Sequence, residues 1–227
     1  VKVANGEAVK IIEETAYPFK EEIRFDMRME RSVKFPFHLR IPQWCKAPAV
    51  KINGQTTKFT NSNGIIVINR TWNDNDNVEL SLPMEFSKSD WYNGSVGIER
   101  GPLVYALKIK EDWVEVKKDG FDDTYWEVKP KSPWNYSLRR EDIEKMNFTV
   151  TVKDSIAMYP WNLENAPIVV KAKGQKVPNW TIVNGQTGML PSYGGPSEQM
   201  NDVPVEDIEL IPYGCTTLRI AQFPVLR

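Results

Sequence analysis

Apolar and polar residues alternate along most of the chain with a period of two, as a pleated strand with one buried face requires. The alternation predicts strands over residues 9–14, 22–29, 37–41, 49–52, 65–69 and 78–82, a meander of about six strands. Asn53-Gly54 and Asn63-Gly64 supply the positive φ angles of tight hairpin turns, and residues 73–77, all Asn or Asp, read as a third turn. A strand over 103–107 follows Arg100-Gly101-Pro102, after which the texture becomes charged and Trp-rich, placing a domain boundary near Lys108. Residues 137–146 are the helix candidate, one or two surface turns with little apolar face. Strands resume over 148–152, 168–172 and 180–183. A Gly/Pro/Ser-rich loop over 191–204 reads as the most flexible segment, and the closing stretch predicts two strands broken at Pro212-Tyr213-Gly214. The 16 prolines and 13 glycines are spread evenly between short β-branched and aromatic runs, the pattern of an all-β sandwich or barrel.

The length of 227 residues suits one large β domain or two of ordinary size, and two is the expectation. A formal net charge of -1 gathers neither phosphates nor anionic lipid, so nucleic acid and membrane are not expected partners. No apolar run approaches the roughly 20 residues of a membrane helix. The opening VKVANGEAVKIIEET alternates like a strand in mid-sheet, so Val1 reads as a cut site.

Catalytic chemistry is hard to assemble from these residues. His38 is the single histidine and lies in an alternating strand; no Ser/His/Asp arrangement or His-based metal site can be built on it. The 30 acidic residues offer many carboxylate pairs, but only spatial separation identifies a working one, and runs such as EDWVEVKKD read as solvated faces. Two cysteines, Cys45 and Cys215, lack zinc-site spacing and read as buried thiols. The chain holds 8 Trp, 8 Tyr and 9 Phe, which serve either as core or as flat platforms for a sugar. Trp44 and Trp72 are assigned to the core. Trp91, Trp134 and Trp161 sit in loop-like contexts and are the candidate carbohydrate-binding residues, weighed against a packing role for each.

A series of motifs resembles the C-terminal half of glycoside hydrolase family 127, formerly domain of unknown function 1680. They are TAYPF (15–19), FHLRIPQW (37–44), VKING (50–54), GIIVINRTW (64–72), VELSLPM (78–84) and IERGPLVYAL (98–107). SPWNYSL (132–138), PWNLENAPI (160–168) and LIPYGCTTLRIAQFP (210–224) agree in order and spacing. The family includes bacterial β-L-arabinofuranosidases.

The resemblance implies two antiparallel β-sandwich domains behind an (α/α)6 catalytic barrel. The second would be inserted near the end of the first: residues 1–107 plus 208–227 form one sandwich, and 108–207 the other. It places a zinc ion, its cysteine and glutamate ligands and a cysteine nucleophile in the barrel. No position here matches that motif, so this chain is expected to hold no catalytic residue, cofactor or metal. The implied partners are the barrel of the full-length protein and a homodimer mate, with a glycan as the alternative, and the implied location is periplasmic or extracellular. Asn75 stands where relatives carry Gly, a change a left-handed turn tolerates. The inserted topology returns Cys215 to the sandwich of Cys45 and leaves a bridge open beside two free thiols.

Overall fold

The computed structural model describes residues 1–117, 124–191 and 202–226. They divide into two compact units, Val1–Glu85 and Phe86–Arg227. The fold is all-β and antiparallel nearly throughout, as the alternation predicts.

The first unit contains β1 (Val9–Thr15), β2 (Glu22–Met29), β3 (Val33–Arg40), β4 (Ala49–Ile52), β5 (Gln55–Thr56), β6 (Asn61–Ser62), β7 (Ile65–Trp72) and β8 (Asn77–Ser81). A five-stranded sheet runs β1-β2-β8-β4-β5 and a three-stranded sheet runs β3-β7-β6. The period-two pattern decides what each strand buries. β4 turns Val50 and Ile52 inward and Lys51 outward, while β7 buries Ile66, Ile68 and Trp72 and exposes Val67 and Asn69. These residues join Met27, Phe35, Leu39, Val78 and Leu80 in one core fed by both sheets. Trp72 is fully buried, its indole N–H donating to the Phe35 carbonyl at 3.1 Å, and Trp44 packs half-buried against the same core.

The turns behave as their residues require. Asn53 and Gly54 have φ of 51° and 78°, and Asn63 and Gly64 have 52° and 77°, which close the β4–β5 and β6–β7 hairpins. Asn75 adopts φ 68° in the third turn. Asp76, buried beneath that turn, accepts from the Asn53 side-chain amide at 2.7 Å and from the Asn73 backbone N–H at 2.9 Å. One carboxylate thereby ties two turns together.

The second unit contains β9 (Phe86–Asp90), β10 (Val96–Arg100), β11 (Leu103–Leu107), β12 (Glu111–Lys117), β13 (Thr124–Pro130), β14 (Tyr136–Arg139), α1 (Arg140–Glu144), β15 (Thr149–Val152), β16 (Ile168–Lys176), β17 (Ile182–Val183), β18 (Gln186–Thr187), β19 (Val205–Pro212) and β20 (Val225–Leu226). An eight-stranded sheet runs β20-β14-β16-β19-β11-β10-β9, with β15 also paired to β16. β14 and β20 are parallel. β12–β13 and β17–β18 form separate two-stranded sheets.

This arrangement differs from the expected domain boundaries. β11 is hydrogen-bonded to β19, and β19 to β16, so residues 86–107 share a sheet with residues 168–176. The units part between Glu85 and Phe86, not near Lys108. Gly101, at φ 58°, is the turn of the β10–β11 hairpin and marks no domain boundary. The charged texture from Lys108 onward belongs to β12 and β13, a hairpin in which no described residue is fully buried. The helix expected over 137–146 shrinks to α1, because Tyr136, Ser137 and Leu138 are buried and extended against β16. Asp142 accepts from Arg139 Nε at 2.7 Å and Asn147 Nδ2 at 2.9 Å, and although burial acts to raise its pKa, these donors hold it below the ordinary value. β9 and β10 carry no strand prediction; for β9 the reason is that the stretch over 86–95 is mostly polar. Most of the loop expected over 191–204 lies outside the described residues.

Replacing Asp76 by Ala strands the Asn53 amide and the Asn73 N–H, and the expected loss is about 1–3 kcal/mol of unfolding free energy. Urea titration beside an Asn69→Ala control on the exposed face of β7 measures it; equal midpoints for the two variants would contradict the role given to Asp76.

Candidate functional site

The three candidate tryptophans have different surroundings. Trp134 meets Trp180 edge-on, with ring centroids 5.1 Å apart at 70°, and Trp180 is buried with its indole N–H on the Gly188 carbonyl. Trp134 itself is half-buried, packed on that buried ring and lining a separate small pocket with Ile182 and Arg219. Trp91 is 54% exposed beside the turn over Tyr92–Gly94, its indole donating to Ser89 Oγ at 2.8 Å. Trp161, 49% exposed, walls a cleft of about 560 Å³ within the second unit.

Local chemistry builds that cleft from three stretches of chain. Asn162 Oδ1 accepts from the N–H groups of Glu164 and Asn165 at 3.1 and 2.8 Å, while its amide donates to the Tyr159 carbonyl at 2.9 Å, fixing the turn that follows Trp161. Opposite it, β19 ends at Pro212 and the chain enters a 3-10 turn over Tyr213–Cys215. The Trp161 ring lies so close to Gly214 that a Cβ there would stand 2.8 Å from Trp161 Cε3. Only glycine leaves that space. The Cys215 thiol donates to the Pro160 carbonyl at 3.4 Å.

The third stretch is the start of β12. Glu111 Oε1 accepts from the backbone N–H groups of Thr217 and Leu218 at 2.6 and 3.2 Å and from the Thr216 hydroxyl at 3.1 Å; Oε2 accepts from the Trp113 indole at 3.1 Å. Burial acts to raise the pKa of this carboxyl, but the converging donors outweigh it and hold the pKa below the ordinary 4.5. Cross-strand partners share a sheet face, so the pairs Glu111–Pro130, Trp113–Val128 and Glu115–Trp126 put Trp113 and Trp126 on the face that carries Glu111, with Trp126 diagonal to Trp113. Their rings lie 6.5 Å apart, and each is more than half exposed. Arg219 completes the rim, its Nε donating to the Thr216 carbonyl at 3.0 Å and its guanidinium 4.7 Å from the Tyr213 ring centre.

This arrangement suits binding better than bond cleavage. A glycosidic acid needs a carboxyl with a raised pKa, whereas Glu111 is shifted downward and fully engaged. Burial pushes the Cys215 thiol up to about 11, so it is protonated at neutral pH and a poor nucleophile. Cys45 and Cys215 are both free and buried. Among the described residues, no three His, Cys, Asp or Glu side chains gather into a group that could hold a metal ion. Among the described residues, no helix is long and apolar enough to cross a membrane. Of the cleft, the sequence pointed to Trp161 alone. Glu111 and Trp113 lay hidden in a run that reads as a solvated face, and the adjoining PWN and PYGCT motifs signalled order without showing that they meet.

Comparison with known proteins bears on the family resemblance. Residues 1–84 match the GH127 middle domain of β-L-arabinofuranosidases. The match coincides with the first unit and contains the five motifs from TAYPF to VELSLPM. Solved structures extend the likeness of fold to nearly the whole chain. A GH127 β-L-arabinofuranosidase from Geobacillus stearothermophilus T6 superposes with a TM-score of 0.62 at 22% identity, over 97% of this chain and 31% of its own. Another GH127 β-arabinofuranosidase gives 0.64 at 19% identity, over 99% and 33%. A structure described as a glycoside hydrolase gives 0.57 at 21%, over 98% and 33%. The chain thus spans about a third of the length of these structures. No curated protein matches it in sequence.

The lowered pKa of Glu111 has a pH signature. A carboxyl depressed in the folded state stabilises it above its unfolded pKa, and that contribution is lost as pH falls through the folded pKa. The stability gap between wild type and Glu111→Gln should be constant above pH about 4.5 and close below it. Urea unfolding from pH about 7 down to 3 measures this, and a gap independent of pH would refute it.

Proposed function

We propose that this chain is the non-catalytic β-rich portion of a bacterial glycoside hydrolase of the GH127 type. The observation that carries the reading is the match of residues 1–84 to a domain described as the middle domain of a β-L-arabinofuranosidase. In this reading the hydrolysis of L-arabinofuranosides or related plant glycans takes place in a separate (α/α)6 barrel. The two β units support that barrel and contribute to assembly, including a homodimer. Zinc, its ligands and the cysteine nucleophile belong to the barrel, in keeping with the protonated Cys215 thiol and the engaged Glu111 carboxylate found here. A periplasmic or extracellular location follows from polymeric plant glycans as substrate.

The purified chain should release no phenol from an aryl β-L-arabinofuranoside. Turnover comparable to that of a full-length GH127 enzyme, measured in the same colorimetric assay, would overturn the assignment of the chemistry to another domain.

A further inference from the structure

The cleft between Trp113 and Trp161 has properties that support of a barrel does not require. Its volume of about 560 Å³ falls within the roughly 300–1,000 Å³ of small-ligand sites. Both rings are half exposed yet held in place, Trp113 through its indole N–H on Glu111 and Trp161 by its seat on Gly214. An aromatic platform held before the ligand arrives loses little side-chain entropy on binding. Glu111 and Asn162 are engaged within the wall itself. Among the described residues, the terminal guanidinium nitrogens of Arg219, the Thr217 hydroxyl and the Glu164 carboxylate make no hydrogen bond or ion pair, and all lie at the exposed rim.

We propose that this cleft is a binding site for a short neutral oligosaccharide, with Trp113 and Trp161 stacking against sugar rings and Arg219, Thr217 and Glu164 meeting their hydroxyl groups. The pairing of flat apolar faces with polar donors and acceptors matches a sugar, whose ring faces carry C–H groups and whose rim carries hydroxyls. The charge of the lining narrows the class. Two carboxylates, Glu111 and Glu164, stand against one guanidinium, Arg219. That balance disfavours uronic acids and the phosphates of a nucleotide, which would otherwise suit a pair of stacking rings. The inference rests on the cleft alone and does not depend on the proposed catalytic barrel.

Calorimetric titration of the chain with arabinotriose, xylotriose and tri-galacturonic acid tests it. Binding of at least one neutral trisaccharide with a Kd on the order of 0.1–1 mM is expected, the range of a few stacking and hydrogen-bonding contacts, with the acidic trimer binding more weakly. Trp113→Ala and Trp161→Ala should each weaken binding about tenfold, the loss of one aromatic contact, while Trp91→Ala leaves it unchanged. Gly214→Ala keeps every aromatic ring but displaces Trp161, and should also weaken binding with an unchanged far-ultraviolet circular dichroism spectrum. Absence of heat with all three sugars, or affinity indifferent to both cleft tryptophans, would overturn the proposal. So would variants that change the sedimentation coefficient of the chain and not its sugar affinity, since the cleft would then be a protein interface.

Discussion

The second unit depends on the double pairing of β19. This strand is hydrogen-bonded to β11 on one edge and to β16 on the other, with Ala106 opposite Ile211 and Lys171 opposite Glu209. A central strand must satisfy its main-chain groups on both sides, and Leu210 and Ile211 on it are fully buried. Because Pro212 ends the strand at a fixed place, the turn over Tyr213–Cys215 is delivered with Gly214 beneath Trp161 and Cys215 against Pro160. The next residues, 216–218, meet the Glu111 carboxylate. The cleft is thus a consequence of where a sheet strand stops.

Glu111 shows how a charged residue acquires a structural role. A carboxylate accepting several donors replaces its hydration with fixed dipoles, and such charge-assisted bonds are stronger than neutral ones. Here they clamp an exposed hairpin, which has little core of its own, to a turn anchored by the main sheet. The same clamp orients the Trp113 indole. An exposed aromatic side chain held in this way is a surface feature with a definite direction, unlike a tryptophan such as Trp72, whose orientation is set by the core around it.

The first unit is more self-sufficient. Its two sheets feed one core, its hairpins close on Asn-Gly pairs, and Asp76 joins two turns across the ends of the strands. It is also the part that matches a recognised domain of a β-L-arabinofuranosidase, while the second unit shares its fold with the same enzymes.

The sequence by itself determined what local geometry controls. Alternation located β1, β2, β4, β7 and β8 to within a few residues, because a half-buried strand shows its inward face in every second residue. Asn53-Gly54 and Asn63-Gly64 announced their turns because few other residues accept positive φ at both positions. Trp161 was legible as a loop aromatic. Only the tertiary structure decided that β9 to β11 share a sheet with β16 and β19, that residues 136–139 are extended beneath a short α1, and that Glu111, Trp113, Gly214 and Arg219 converge around Trp161. Those outcomes depend on which strand edges remain to be paired and which distant backbone groups meet a given side chain, and neither is encoded in local hydrophobic patterning.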